Sequence, residues 1–357
     1  MRVPSKSWTL PVAVAVSATL ALSACSSSGK GSTGGSTGAS SGSSSSSSGG
    51  SAKIAVVLKG LDNPFFQTME DGVKAAGAST GSTVQVQAAT SITDTTGQAD
   101  KLSVLATQDY SCFVVNPISG TNLIQGIAQL AGKKKTIVNI DSPVDSGAAK
   151  KANATLATYI GTNNVLAGTM AGKEMVKLLP SGGAVAVIGG IAGDVTSGAR
   201  VSGFQAGIKA QPSIKFLTTV PGNWDRQEAL TQATTLLRAH PDLGGFFVAN
   251  DDMALGVARA IATAGKTGKV KVISVDGLKE AEQAVKSGQL SALIAQYPYA
   301  IGQMGVEACK AAITGKTLPT NVAAPVQLVT KANATKALAV TPNPFESFND
   351  PFAALLK

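Results

Sequence analysis

KIAVVLKGLDNPFFQTMEDGVKAAGA, residues 53–78, reads as one strand and one helix set back to back. Ile54 to Leu58 is a continuous apolar run, the pattern of a parallel strand covered on both faces. Asn63 stands where a helix N-cap belongs and Pro64 suits the first turn. Phe66, Met69, Val73 and Ala76 then recur at helical spacing. The alternation continues along the chain. Further apolar runs fall at 83–88, 112–116, 136–140, 184–188, 214–220, 245–249, 270–275, 291–295 and 325–329. Helical patterns occupy 65–78, 165–179, 227–239, 253–264 and 278–287, the last stopped by Gly288. Such β-α alternation predicts open, doubly wound parallel sheets. The strands are too many for one compact sheet, and the pattern restarts near Gly161, so two similar α/β lobes are expected.

Ahead of this body lies a different kind of sequence. Arg2 and Lys6 precede an apolar run from Trp8 to Leu22, short of the roughly 20 residues that span a bilayer. It ends in Leu-Ser-Ala-Cys at 22–25, which reads as a signal peptide over 1–24 followed by the lipid-acceptor Cys25. Residues 26–51 are almost wholly Ser and Gly and have nothing to bury. As a Gly/Ser coil, the segment has a root-mean-square span of about 28 Å. The expected placement is the outer face of the cytoplasmic membrane, with the folded body tethered through Cys25 and two acyl chains for stable anchoring.

The remaining 300 or so residues suffice for two cores. The net charge of +9 is spread out, with Lys133 to Lys135 the only dense run, read as a solvated turn. An exported chain without a nucleic-acid motif is not expected to bind nucleic acid. Of the three cysteines, Cys112 and Cys309 remain after Cys25 is lipidated. The compartment permits a disulfide, but the favoured reading is two buried thiols. The lone His240 precedes Pro241 at a helix end. No Cys/His cluster has metal-ligand spacing and no His is placed to serve a nucleophile, so neither an enzyme, a metal nor a cofactor is expected.

In open α/β sheets, ligands bind beyond the carboxyl ends of the strands. Those ends carry a coherent set: Asn63, Phe65 and Phe66 after the first strand, Asp141 after the fourth, Trp224, Asn250, Asp276 and Gln296 in the second half. Carboxylates and amides supply paired donors and acceptors, and aromatic rings supply flat apolar faces. That combination suits a sugar or polyol, with hydroxyls at its rim and C–H faces above and below. Each Asp or Asn would also serve as a plain helix cap, but caps alone do not explain five strand ends in two lobes.

The motifs Asn63-Pro-Phe-Phe66, Asn250-Asp-Asp-Met-Ala-Leu-Gly256, Val275-Asp-Gly277 and Ile294-Ala-Gln296 resemble those of the ribose-binding branch of the periplasmic sugar-binding proteins, from about Lys53 to Lys331. The resemblance implies two lobes joined by a three-segment hinge (periplasmic binding protein type I). It also implies capture of a monosaccharide or sugar alcohol by hinge closure, and delivery to the permease of an ABC importer, with the protein acting as a monomer. The implied lobes are 53–159 with 297–322 and 160–296 with 323–333, behind the signal over 1–24 and the tether over 25–52, and followed by a tail over 334–357. By the same resemblance, Asn63, Phe65, Phe66, Asp141, Trp224, Asn250, Asp276 and Gln296 contact ligand. Ser142 stands where the family places an Arg, Gly198 stands at a second ligand Arg, and Arg200 matches a structural one. With two forked donors gone, ribose is not carried over, and another pentose, a hexose or a polyol is expected.

Other classes fit less well. Val187-Ile-Gly-Gly-Ile-Ala-Gly193 is a glycine turn after a strand, yet it reads G-G-x-x-G rather than the dinucleotide fingerprint. A sugar-responsive repressor needs an N-terminal DNA-binding module where this chain has a leader. The alternative that survives is a sugar-sensing accessory lipoprotein that reports ligand status to a membrane receptor.

Overall fold

The structure is a computed structural model that describes residues 51–357. The expected signal peptide, Cys25 and the expected tether up to Gly50 lie outside the described residues. The strands are β1 Lys53–Leu58, β2 Thr83–Ala88, β3 Cys112–Val115, β4 Thr136–Ile140, β5 Thr158–Gly161, β6 Gly183–Gly189, β7 Ile214–Pro221, β8 Leu243–Val248, β9 Lys271–Asp276, β10 Ala292–Ala295, β11 Asn321–Ala323 and β12 Gln327–Thr330. The helices are α1 Pro64–Ser79, α2 Thr95–Leu105, α3 Ile124–Gly132, α4 Ser146–Lys151, α5 Asn164–Leu178, α6 Val195–Ile208, α7 Arg226–Ala239, α8 Asp251–Thr263, α9 Lys279–Ser287, α10 Pro298–Ile313, α11 Ala334–Val340 and α12 Pro351–Leu355. No described helix is long and apolar enough to cross a membrane.

Two six-stranded sheets form, with orders β11-β5-β4-β3-β1-β2 and β12-β10-β9-β8-β6-β7. The orders are equivalent strand for strand, so the lobes repeat one topology. All pairings are parallel except β10 with β12. Central strands are apolar because helices cover both faces; Ile54 through Leu58 are wholly buried. The chain passes between the sheets after β5, after β10 and after β11, which makes the three-segment hinge.

The sequence pattern misses β5 and β11, and they correct the expected lobe limits. Gly161 still belongs to the first sheet and pairs with Ala323, so 160–161 and 323 lie in the first lobe. In the lysine run, Lys133 and Lys134 are exposed and Lys135 is half-buried, and two of the three ammonium groups also have backbone partners. Lys133 Nζ and Lys135 Nζ donate to the carbonyls of Ala106 (3.0 Å) and Tyr110 (2.7 Å).

The reading of two free thiols is overturned. Cys112 on β3 and Cys309 on α10 form a disulfide, with Cα atoms 5.7 Å apart. It staples the returning helix to the first sheet. Helix α10 also lies against α1 at backbone distance: a Cβ on Gly302 would stand 2.3 Å from the Met69 carbonyl oxygen.

The tail joins both cores. Ala334, Ala337 and Phe345 are buried in the second lobe, whereas Phe352 is wholly buried in the first. Phe348 packs on both. Gln327 anchors the crossing, its Oε1 accepting from the Tyr297 hydroxyl at 2.5 Å and from the amides of Phe345 and Glu346. Residues 334–357 are therefore a fourth link between the lobes.

Candidate functional site

The carboxyl ends of strands from both sheets border one cavity of about 420 Å³, within the range of small-molecule sites. Asn63, Phe65, Phe66, Asp141, Ser142, Trp224, Asn250, Asp276 and Gln296 all line it. The fold brings the nine together because each follows a strand of a parallel sheet.

From the first lobe, Asn63 caps α1, its Oδ1 accepting from the Phe65 amide at 2.9 Å. Its Nδ2 has no protein partner among the described residues. Phe65 and Phe66 stand edge to face, centroids 5.1 Å apart. Asp141 sits at φ 59°, and its backbone is held from two sides. Its N–H donates to Ile160 O at 2.8 Å, and its carbonyl accepts from the Tyr159 hydroxyl at 2.7 Å. Burial, and then the nearby Asp141 charge, push the Tyr159 phenol well above its ordinary pKa, so it stays a donor. Buried Asn139 shapes the turn that follows: Nδ2 donates to Ser142 O (2.8 Å) and Oδ1 accepts from the Val144 amide (2.9 Å).

From the second lobe, Asn250 caps α8 through Oδ1, which accepts from Met253 N at 3.0 Å, and again Nδ2 has no protein partner among the described residues. Asp276 Oδ1 accepts from Gln296 Nε2 at 2.6 Å and lies 3.5 Å from Arg200 Nη1. Gln296 Oε1 in turn accepts from the Thr162 hydroxyl at 2.5 Å. This chain ties Asp276 to two of the hinge crossings. Asp251, fully buried, accepts from Ser274 Oγ and from the amides of Gly277 and Leu278, and so holds the turn behind Asp276. Burial pushes both Asp276 and Asp251 above the usual carboxylate range, with Arg200 opposing the rise in each.

Two cationic residues change the expected picture. Lys59, unremarked in the sequence, donates from Nζ to Ser142 Oγ at 2.7 Å, lies 3.9 Å from Asp141 Oδ2 and stands 5.4 Å from the Phe66 ring centroid. An ammonium from the end of β1 thus stands beside Ser142, the position at which the resemblance implies a guanidinium. Its one signal in the sequence is a lone cation closing an apolar strand. Arg200, assigned a structural part by the resemblance, also lines the cavity. It donates to Ala249 O at 2.6 Å and Asn164 Oδ1 at 2.9 Å. Its guanidinium lies 5.9 Å from the Trp224 ring centroid. Gly198 is not in the cavity wall.

Residues 54–317 match the periplasmic binding protein domain family. The chain belongs to that family. Over 281 residues it is 36% identical to the D-allose-binding periplasmic protein of Escherichia coli, covering 78% of this chain and 90% of the relative. Over 278 residues it is 31% identical to the ribose import binding protein RbsB of Salmonella typhimurium, again covering 78% and 90%. Its fold is similar to the crystal structure of an ABC transporter periplasmic solute binding protein from Actinobacillus succinogenes with bound D-allose. The TM-score there is 0.76 at 26% identity, covering 80% of this chain and 99% of the other. These relatives are binding proteins of sugar transport rather than enzymes. The two-lobed architecture of this binding protein is that of the type I class.

Proposed function

We propose that the protein is an extracytoplasmic, lipid-anchored receptor that captures one neutral monosaccharide or sugar alcohol and delivers it to an ABC importer. A hexose of the allose kind is the favoured ligand. The observation that carries this reading is the cavity wall: Asp141 and Asn63 from one lobe, Asp276, Asn250 and Gln296 from the other, with Phe65, Phe66 and Trp224 as apolar plates. Hydroxyls meet charged and amide groups, and hydrogen bonds contribute roughly 1.5–3 kcal/mol each where the partner is charged and about 1 kcal/mol where it is an amide. Ser142 with Lys59 in place of an Arg argues against ribose, and the greater identity to the allose-binding relative points the same way. A ligand that touches both lobes only when they close shifts the open–closed population by its extra affinity for the closed state. The Cys25 motif supports anchoring, and a Cys25→Ser chain is expected to be released from the membrane fraction.

The test is a thermal-shift screen of the full chain over pentoses, hexoses and polyols. A ligand at 100 times its Kd adds about 2.7 kcal/mol of stability, enough to raise Tm by several degrees. Asp141→Ala and Asp276→Ala are each expected to weaken binding more than tenfold. Failure of every neutral sugar and polyol to shift the melting curve would sink the ligand class.

A further inference from the structure

The glycine turn at 189–190 has no part in the reading above, and it lies directly behind the Trp224 indole. A Cβ built on Gly190 would stand 2.2 Å from both Cε2 and Cζ2 of Trp224 and 2.7 Å from Cδ2. No side chain fits there while the indole keeps its place. Neither backbone can readily retreat. Gly190 N donates to the buried Ser197 Oγ at 2.8 Å. Gly222 N donates to Gly189 O at 2.8 Å, locking the turn after β6 to the turn after β7. Within the second turn, Asn223 and Trp224 both hold positive φ (53° and 63°), and Asp225 caps α7. Arg200 then sets a second boundary, its guanidinium near the ring at 5.9 Å from the centroid.

Resting on the monosaccharide reading, we propose that Gly190 is a specificity-determining position: its bare Cα is the seat of the Trp224 indole, which is held between Gly190 and Arg200. The position of the ring decides which C–H face of a pyranose lies flat on the plate. A methyl group at 190 displaces the indole from its seat and so changes both affinity and the ranking of epimers, without touching the polar contacts. Gly190 acts through Trp224 and is a positioning residue.

The experiment uses the full chain carrying Trp8→Phe, which leaves Trp224 as its only tryptophan. Gly190→Ala is compared with its parent, and the same change is made in a Trp224→Ala background. Without sugar, Gly190→Ala is expected to red-shift the indole emission and raise its quenching by acrylamide. With sugar, it is expected to weaken binding at least tenfold in the parent and less than twofold in Trp224→Ala. Unchanged emission and affinity would overturn the proposal. So would an equal loss in both backgrounds, because a general disturbance of the loop does not need the indole. A parent that binds no monosaccharide overturns the sugar reading and the specificity role with it. The sugar-free emission still decides by itself whether Gly190 seats the ring.

Discussion

Asp141, Trp224 and Asp276 have backbone φ values of 59°, 63° and 153°. Such conformations cost about 1–3 kcal/mol each and persist only where the surroundings enforce them. Here Tyr159 and Asn139 hold the Asp141 turn, the Gly222–Gly189 bond and the Asp225 cap hold the Trp224 turn, and Asp251 with the hinge-linked Gln296 holds Asp276; all three residues face the cavity. Asp141→Gly is therefore expected to leave Tm unchanged or raise it while weakening sugar binding more than tenfold; a fall in Tm would contradict the strain account. A second residue-scale outcome concerns Glu282, buried under the tail and bonded to the Thr341 hydroxyl. Burial first, and the Asp251 charge next, raise its carboxyl from 4.5 to about 7, against the opposing Thr341 bond. The folded state thus holds a proton that the unfolded chain has lost. This contribution is complete below about pH 4.5 and gone once pH passes 7. Thermal unfolding from pH 4 to 8 is expected to show the wild type losing Tm relative to Glu282→Gln across that window. Parallel curves would refute it. Nine of the cavity residues were legible in the sequence because a doubly wound sheet sends every strand end to the same side. Lys59 and Arg200 were not: Lys59 closes β1 but carries no amide, carboxylate or ring of the kind that marks a sugar contact, and Arg200 lies on α6 rather than at a strand end.

At the scale of elements, the long runs were readable because burial on both faces leaves no polar interruption. Strands β5 and β11 read Thr-Tyr-Ile-Gly and Asn-Val-Ala, and neither is a continuous apolar run. What makes them strands is the sheet edge that they complete. The disulfide was equally illegible: Cys112 and Cys309 are 197 residues apart in sequence, and only the return of α10 to the first lobe brings them together. In a chain-entropy account, closing a loop of that length restricts the unfolded state by about 5 kcal/mol. Cys309→Ala is expected to lower unfolding stability by several kcal/mol in denaturant titration, with the loss matched by Cys112→Ala and not increased in the double variant. Additive losses would show that the two sulfurs do not act as one crosslink.

At the scale of the molecule, each lobe buries its own core, and the tail adds a packed link from one to the other. Sequence alone left the tail unplaced, because its Asn-Pro and Asp-Pro turns break any pattern and its anchors, Phe345 and Phe352, belong to different cores. Phe352→Ala removes a wholly buried ring and is expected to cost about 3–5 kcal/mol. A change below 1 kcal/mol would mean that α12 does not hold the first lobe. Both lobes are expected to contribute to the binding of one ligand. Calorimetric titration of the full chain with D-allose and its pentose, hexose and polyol analogues tests this most directly. The expected result is saturable one-to-one binding of a neutral sugar or polyol, weakened more than tenfold by Asp141→Ala in the first lobe and equally by Asp276→Ala in the second. Absence of binding by every compound, or binding that survives both substitutions unchanged, would contradict it.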